Sequence, residues 1–412
     1  MPVSNRTSQA LIPSLRVALL HPSEFAQYGG DAYVMHWRHS VNRASVEVLT
    51  PLVGQKPIRS LGEARRWVRE RDWAGVDVVH AELLPGSSSA FHVLMALSEL
   101  PRRPALSATP HAPGAICWHL FSWRLRLFAW CGLATPAASK GGLAWWPGLT
   151  MMLAEKKLAK RLDGLVAHTP SLAETLMRRL NVPAGKIHVI PYGAVTMPTT
   201  PLPDDSTLSV LHVSASSDAD DLRGLLGVFA KLKKLRPEHV GRLSLTLAGA
   251  YAESAQGVDE LVRLIGRSGL SGLVKLHPEV SPSEMPALIQ RHHCVVVLPP
   301  RPRKIGVSGV LVGVVSAFVW ALGVGRGGIV SNEAIPAGQL PSGAGVIPQA
   351  GGGGEGLYKV LESLLLEPDV VCAWSKAAAS AAPIHDWERI GHAFYGHFRR
   401  LSERRAAARS GT

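Results

Sequence analysis

KLAKRLDGLVAHTPSLAETLMRRLNVPAGKIHVIPYGAV, residues 157–195, holds a short apolar run, a helix-length segment and an extended exit through Pro191-Tyr192-Gly193. Gly164-Leu165-Val166-Ala167 has the length and apolar density of a strand buried on both faces. Ser171–Leu180 follows with helical periodicity. Strand followed by helix is the rhythm of a parallel sheet covered by helices.

The same rhythm extends in both directions. Upstream, Arg16–Leu20, Val46–Leu49, Asp77-Val-Val-His80 and Ala105–Thr109 read as strands, with a helix at Ser60–Asp72. Downstream, Ser209–Val213, Ser244–Ala248, Val274–Leu276, Cys294–Leu298 and Gly328–Val330 repeat it. Between the halves, Val195–Thr207 is rich in Pro and short polar residues, the composition of a linker. The expected organisation is a disordered 1–13, a Rossmann-like domain over 14–195 and a linker over 196–207. A second Rossmann-like domain over 208–384 and a helix with a basic tail over 385–412 complete it. In such α/β pairs, ligands bind where the carboxyl ends of the strands meet the interdomain cleft.

Composition narrows the class. At 412 residues the chain exceeds one compact core. Hydrophobic residues at 46% and charged residues at 18% exclude a disordered chain. The net charge of +13 favours anionic partners: phosphorylated substrates, an acidic membrane surface or nucleic acid. Cys117, Cys131, Cys294 and Cys372 are scattered without a C-x-x-C, which argues against a disulfide scaffold or structural zinc and fits a reducing compartment. The N-terminus has no apolar run of signal-peptide length, so a cytoplasmic protein is expected. Ile305–Gly325 is uncharged over 21 residues, with Arg301, Arg303 and Lys304 before it and Arg326 after it. It reads as a helix buried in an α/β core, with a membrane span as the alternative.

Several motifs carry a family resemblance. Lys157–Val195, above all Lys186-Ile-His-Val-Ile-Pro-Tyr-Gly-Ala194, resembles the close of the first domain in GT-B glycosyltransferases, particularly the large retaining family 4. Tyr192 stands where that family usually has Asn. Gly29-Gly30 after the first strand, His80, Thr109-Pro-His111 and Trp387-Glu-Arg-Ile390 agree in order and spacing. The resemblance covers most of residues 14–400. It implies an α/β fold of two Rossmann-like domains facing a cleft, with a C-terminal helix crossing back.

The resemblance also implies sites, with departures. Family members carry a Glu-x7-Glu motif beside the donor sugar, whereas 306–330 contains no Glu. They place Arg and Lys on the donor diphosphate in the first loop of the second domain, where this chain has Ala215 and Asp220. An acid there opposes an anionic donor. The expected substitutes are Arg301, Arg303 and Lys304 with Ser308 and Gly309 at a helix start, and Arg223 near the altered loop. Backbone N–H groups and the helix dipole favour phosphate at such a start. His111 matches the family's catalytic His near the sugar, while Gly29, Gly30 and His80 fall on the acceptor or sugar side.

His292-His293-Cys294 reads as a strand entry rather than a metal site, because adjacent residues on a strand point to opposite faces. Residues 116–146 interleave Trp118, Phe121, Trp123, Phe128, Trp130, Trp145 and Trp146 with Arg124, Arg126 and Lys140. That pattern suits a bilayer interface, and equally a buried insertion. The expected function is a hexosyltransferase-type reaction from a nucleotide sugar to a lipid-linked or saccharide acceptor. No metal or cofactor and no nucleic acid is expected, and the protein would sit at the inner face of the membrane. The alternative is a catalytically inactive GT-B subunit or scaffold for a partner glycosyltransferase.

Overall fold

The computed structural model describes residues 15–21, 30–83, 88–111, 145–203, 207–214, 219–249, 255–278, 280–281, 283–298, 317–330, 340–348 and 354–410. Within them lie two six-stranded sheets, both wholly parallel. The first joins β1 (Leu15–Leu20), β2 (Val46–Leu49), β3 (Val78–Leu83), β4 (Ala105–Pro110), β5 (Gly164–Ala167) and β6 (Ile187–Val189) in the order β2-β1-β3-β4-β5-β6. Its helices are α1 (Gly30–Arg43), α2 (Leu61–Arg69), α3 (Ser88–Leu97), α4 (Trp145–Arg161) and α5 (Pro170–Leu180).

The second joins β7 (Leu208–Ser214), β8 (Leu243–Gly249), β9 (Val274–His277), β10 (Cys294–Val297), β11 (Gly327–Val330) and β12 (Gly345–Val346) in the order β12-β11-β10-β7-β8-β9. Its helices are α6 (Ala219–Leu235), α7 (Ala255–Arg267), α8 (Met285–Gln290), α9 (Glu355–Leu366) and α10 (Asp369–Ala381). Strand order reverses between β1 and β3 in one sheet and between β7 and β10 in the other. Those reversals are where open α/β sheets bind ligands.

The 157–195 stretch shows why this sequence folds locally as it does. Asp163 accepts the Leu106 amide at 2.7 Å and pairs with Arg103, tying the start of β5 to the start of β4. Thr169 caps α5 by accepting the Leu172 amide at 3.1 Å, Pro170 occupies the first turn, and Asn181 ends the helix at φ +54°. A Cβ at Gly164 would meet His397, and one at Gly193 would enter the Trp387 ring. Both glycines therefore permit close approach of the last helix, α11 (Trp387–Ser410).

Alternation along the strands sorts the core into two faces. Ala18, Leu20, Val79, Ala81, Leu83, Leu106 and Ala108 form one with α2, α3, α4 and α5. Val17, Leu19, Val78, Ala105 and Val166 form the other, beneath α1 and α11. Phe394 and Phe398 of α11 are wholly buried there, each contributing about 1.5–3 kcal/mol. The last helix thus returns to the first domain, as the resemblance implied.

Three sequence readings change in form. Residues 317–323, inside the uncharged segment, are helical, with Phe318, Ala321 and Leu322 in the second domain's core. Among the described residues no helix is long and apolar enough to cross a membrane. The Pro-rich segment is a fastened strap rather than a loose tether. Met197 N–H donates to Gly323, and the buried Arg326 guanidinium donates to the Thr200, Pro201, Gln290, His292 and Gly325 carbonyls. The basic tail is helical through Ser410, and Arg409 donates to the Arg103 carbonyl.

Candidate functional site

β3 runs three residues past His80, and that extension places Glu82 at its carboxyl end. In the parallel register His80 lies opposite Ser107 and Glu82 opposite Thr109. All four residues share the face beneath α1 and α11, and all are buried. His111 follows directly after β4, its N–H bonded to the Leu83 carbonyl at 3.1 Å.

These side chains form one network. Glu82 Oε2 accepts from His111 Nε2 at 2.7 Å, and Oε1 accepts from His80 Nε2 at 3.2 Å. Thr109 Oγ1 also lies 3.0 Å from His80 Nε2. The far nitrogen of His111 meets the Tyr192 hydroxyl at 3.0 Å, and that of His80 meets Ser107 Oγ at 3.0 Å. Ser107 Oγ is 2.8 Å from His397 Nε2 on α11. His168 stacks on Tyr192 at 3.8 Å between centroids and bonds the Ile190 carbonyl through Nδ1 at 2.9 Å. Tyr33 of α1 packs edge-on to His111, His168 and Tyr192, and Trp37 stacks over His80.

The electrostatics follow from enclosure. Burial alone would raise the Glu82 carboxyl, but the hydrogen bonds and charge of His111 and His80 hold it far below the usual carboxylate range. Burial pushes His168 down to about 3, helped by His111, so its imidazole is neutral at neutral pH. Burial, with Glu82 adding, raises the Tyr33 and Tyr192 phenols, which stay protonated. His111 is thus braced at Nε2 by an anion, and Nδ1 is the nitrogen available for exchange with another hydroxyl.

His111 and His80 are brought together by Glu82. His80 is fully enclosed and reaches the carboxyl end of the sheet through Glu82 and Thr109. Gly30 starts α1, and Arg223 lies exposed near the start of α6. Gly29, Arg301, Arg303, Lys304, Ser308, Gly309 and residues 116–144 lie outside the described residues. His292 bonds Leu288 O and Thr246 Oγ1, and His293 bonds Ser209, as residues at a strand entry do. Glu82 is the site residue that sequence reasoning missed. Its signal was the spacing of His80 and Glu82, two apart on one strand face.

Two doubly wound parallel domains, a helix crossing back to the first, and a carboxylate-braced His at the first sheet's carboxyl end define a GT-B protein. Residues 16–196 match the family model described as Glycosyltransferase Family 4. Sucrose-phosphate synthase from Thermosynechococcus elongatus is 14% identical at TM-score 0.62, the match covering 94% of this chain and 99% of that one. HepE from Anabaena, solved in complex with UDP, is 14% identical at TM-score 0.58, covering 94% and 100%. A glycosyltransferase from Rickettsia africae ESF-5 is 11% identical at TM-score 0.57, covering 95% and 99%. No curated protein matches the chain. The chain has the GT-B fold, and its first domain is similar to glycosyltransferase family 4.

Proposed function

We propose that the protein transfers a hexosyl group from a nucleoside-diphosphate sugar to a saccharide or lipid-linked acceptor. The observation that carries this reading is the carboxylate-braced His111, on a first domain that matches the family. With Glu82 holding Nε2, a substrate hydroxyl in place of the Tyr192 hydroxyl would meet Nδ1. From there the imidazole can bond the sugar or offset charge that develops on it. The donor diphosphate is assigned to Arg301, Arg303, Lys304, Ser308 and Gly309, with Arg223 nearby. Cations of that segment would offset leaving-group charge without a metal. Residues 116–146 are assigned to peripheral contact with the inner face of the membrane.

HepE has been solved with UDP and with UDP-glucose, so uridine nucleotides are the first ligands to try. The test is a thermal-shift titration with UDP, GDP, ADP and their sugar conjugates. A ligand at about 100-fold over its dissociation constant stabilises by about 2.7 kcal/mol. A melting temperature that climbs with one nucleotide supports a working donor site. Replacing Arg303 and Lys304 together by Ala should then weaken that nucleotide about 10–100-fold, and unchanged affinity removes the site assignment.

A second reading, an inactive subunit partnering an active transferase, is favoured by two observations. No Glu lies within 306–330, and the His111 side chain is enclosed with both nitrogens bonded. A folded sample that binds none of the nucleotides supports it.

A further inference from the structure

Outward from Glu82 the buried network is nearly symmetric. Each carboxylate oxygen faces the Nε2 of one imidazole, and each imidazole presents Nδ1 to one hydroxyl. That hydroxyl is Tyr192 beyond His111 and Ser107 beyond His80, both at 3.0 Å. The side chains of His80, Glu82 and His111 are at most 1% exposed. Among the described residues, no Lys or Arg pairs with Glu82, so an ionised carboxylate there lacks a permanent cation. Leaving a buried anion uncompensated is costly, and a protonated imidazole is the nearest remedy.

The hydroxyls make both imidazoles eligible. A hydroxyl donates to a bare ring nitrogen or accepts from a protonated one, so neither ring strands a nitrogen in either state. His111 Nε2 holds its proton toward Glu82 at 2.7 Å, and His80 Nε2 holds its own between Glu82 Oε1 at 3.2 Å and Thr109 Oγ1 at 3.0 Å. Any further proton therefore sits on Nδ1 of His111 or on Nδ1 of His80. A second such proton would leave a net positive charge in the same apolar interior, so the two positions exclude each other.

We propose that His80, Glu82 and His111 hold a single proton beyond the two that bond the carboxylate, and that the two imidazoles compete for it. His80 is then a positioning residue: it touches no substrate and sets how often His111 is protonated. The groups facing the trio complete the balance. Tyr33 of α1 and Tyr192 are neutral phenols, and His168 is held neutral by burial. β1 contributes Leu19 beside His80. His397 on α11, bonded to Ser107, is pushed toward the neutral form by burial first, then by His188 and His80, and last by Arg400 and Arg404. The catalytic meaning rests on the glycosyl-transfer reading, whereas the shared proton does not.

The test is histidine side-chain nitrogen NMR on the ligand-free full chain across pH 5–9. The expected wild-type result is one proton divided over both rings near pH 7, with titration steps that belong to the pair. In His80→Asn, which keeps an N–H for Glu82, His111 should hold the whole proton, about a two-fold rise in its protonated fraction. Two neutral rings at pH 7 overturn the proposal, as does one ring that stays wholly protonated while the other stays neutral. An unchanged His111 in folded His80→Asn also overturns it, because a purely structural His80 would leave His111 as it was. If that variant fails to fold, the wild-type spectrum decides alone. Because no donor or acceptor is present, failure here is distinct from failure of the transferase reading.

Discussion

Replacing Glu82 by Gln keeps the shape of the side chain but turns one oxygen into a donor, so one imidazole must move its proton from Nε2 to Nδ1, where a hydroxyl can accept it. The bonds to a charged acceptor become neutral ones, a loss of about 1–2 kcal/mol. E82Q should therefore lower the urea midpoint by that equivalent, and an unchanged midpoint would show that the carboxylate carries no structural weight. Tyr192→Phe removes only the hydroxyl on His111 Nδ1 and should cost about 1 kcal/mol, measured the same way. His111 was readable from its place after a strand and from Thr109-Pro-His111. Glu82 was not, because an acid after Val-Val-His looks like a strand exit. Only the β3–β4 register, with Glu82 opposite Thr109, places that acid in the interior.

At the scale of elements, close approach decides what can change. Gly391 of α11 lies against the Ser40 backbone of α1, where an added Cβ would collide with the Ser40 carbonyl. Gly391→Val should cost about 1–3 kcal/mol, because the helices must separate over the buried Trp37 and Phe394. A melting temperature equal to wild type would contradict that packing. Arg326 works differently. Its guanidinium satisfies five backbone carbonyls, two of them on the strap at Thr200 and Pro201. Arg326→Met leaves those acceptors bare, and a loss of about 3–5 kcal/mol is expected in chemical denaturation. Composition made residues 195–207 look like a linker. It could not show the strap's fastening, because the Arg lies over a hundred positions away and its partners, the Thr200 hydroxyl apart, are backbone carbonyls of no particular residue type. The helix at 317–323 was ambiguous for a related reason: an apolar run fits a core as well as a bilayer, and only the neighbours decide.

At the scale of the molecule, the order of strands was legible because parallel strands buried on both faces are apolar runs of fixed length. The division into two doubly wound units follows from that order. The polar interior was far less legible, since seventeen histidines look alike in sequence. Burial separates them. His168, His212 and His397 are all pushed down by burial, His168 to about 3, and so fold in the neutral form. An unfolded histidine titrates near 6.5. Below that pH the unfolded chain binds protons that the folded chain refuses, so stability is complete above about pH 6.5 and falls as the pH drops. For His168 the loss continues down to about pH 3. An unfolded histidine is already half protonated at pH 6.5, so each one held neutral in the fold costs about 1 kcal/mol between pH 6.5 and 5.5. Glu82 adds nothing between pH 5.5 and 7.5. Its depressed carboxyl stabilises the fold at every pH above its unfolded value near 4.5, and that contribution is lost only below it. His168 and His397, the two beneath α1 and α11, therefore predict a loss of about 2 kcal/mol on going from pH 6.5 to 5.5, or a fall in melting temperature of about 2–4 °C, with His212 adding in the same direction. Scanning calorimetry at pH 7.5, 6.5 and 5.5 checks it. The first two scans should nearly coincide and the third should fall. A flat profile would mean that these imidazoles meet water in the folded chain, and that the core beneath α1 and α11 is not closed.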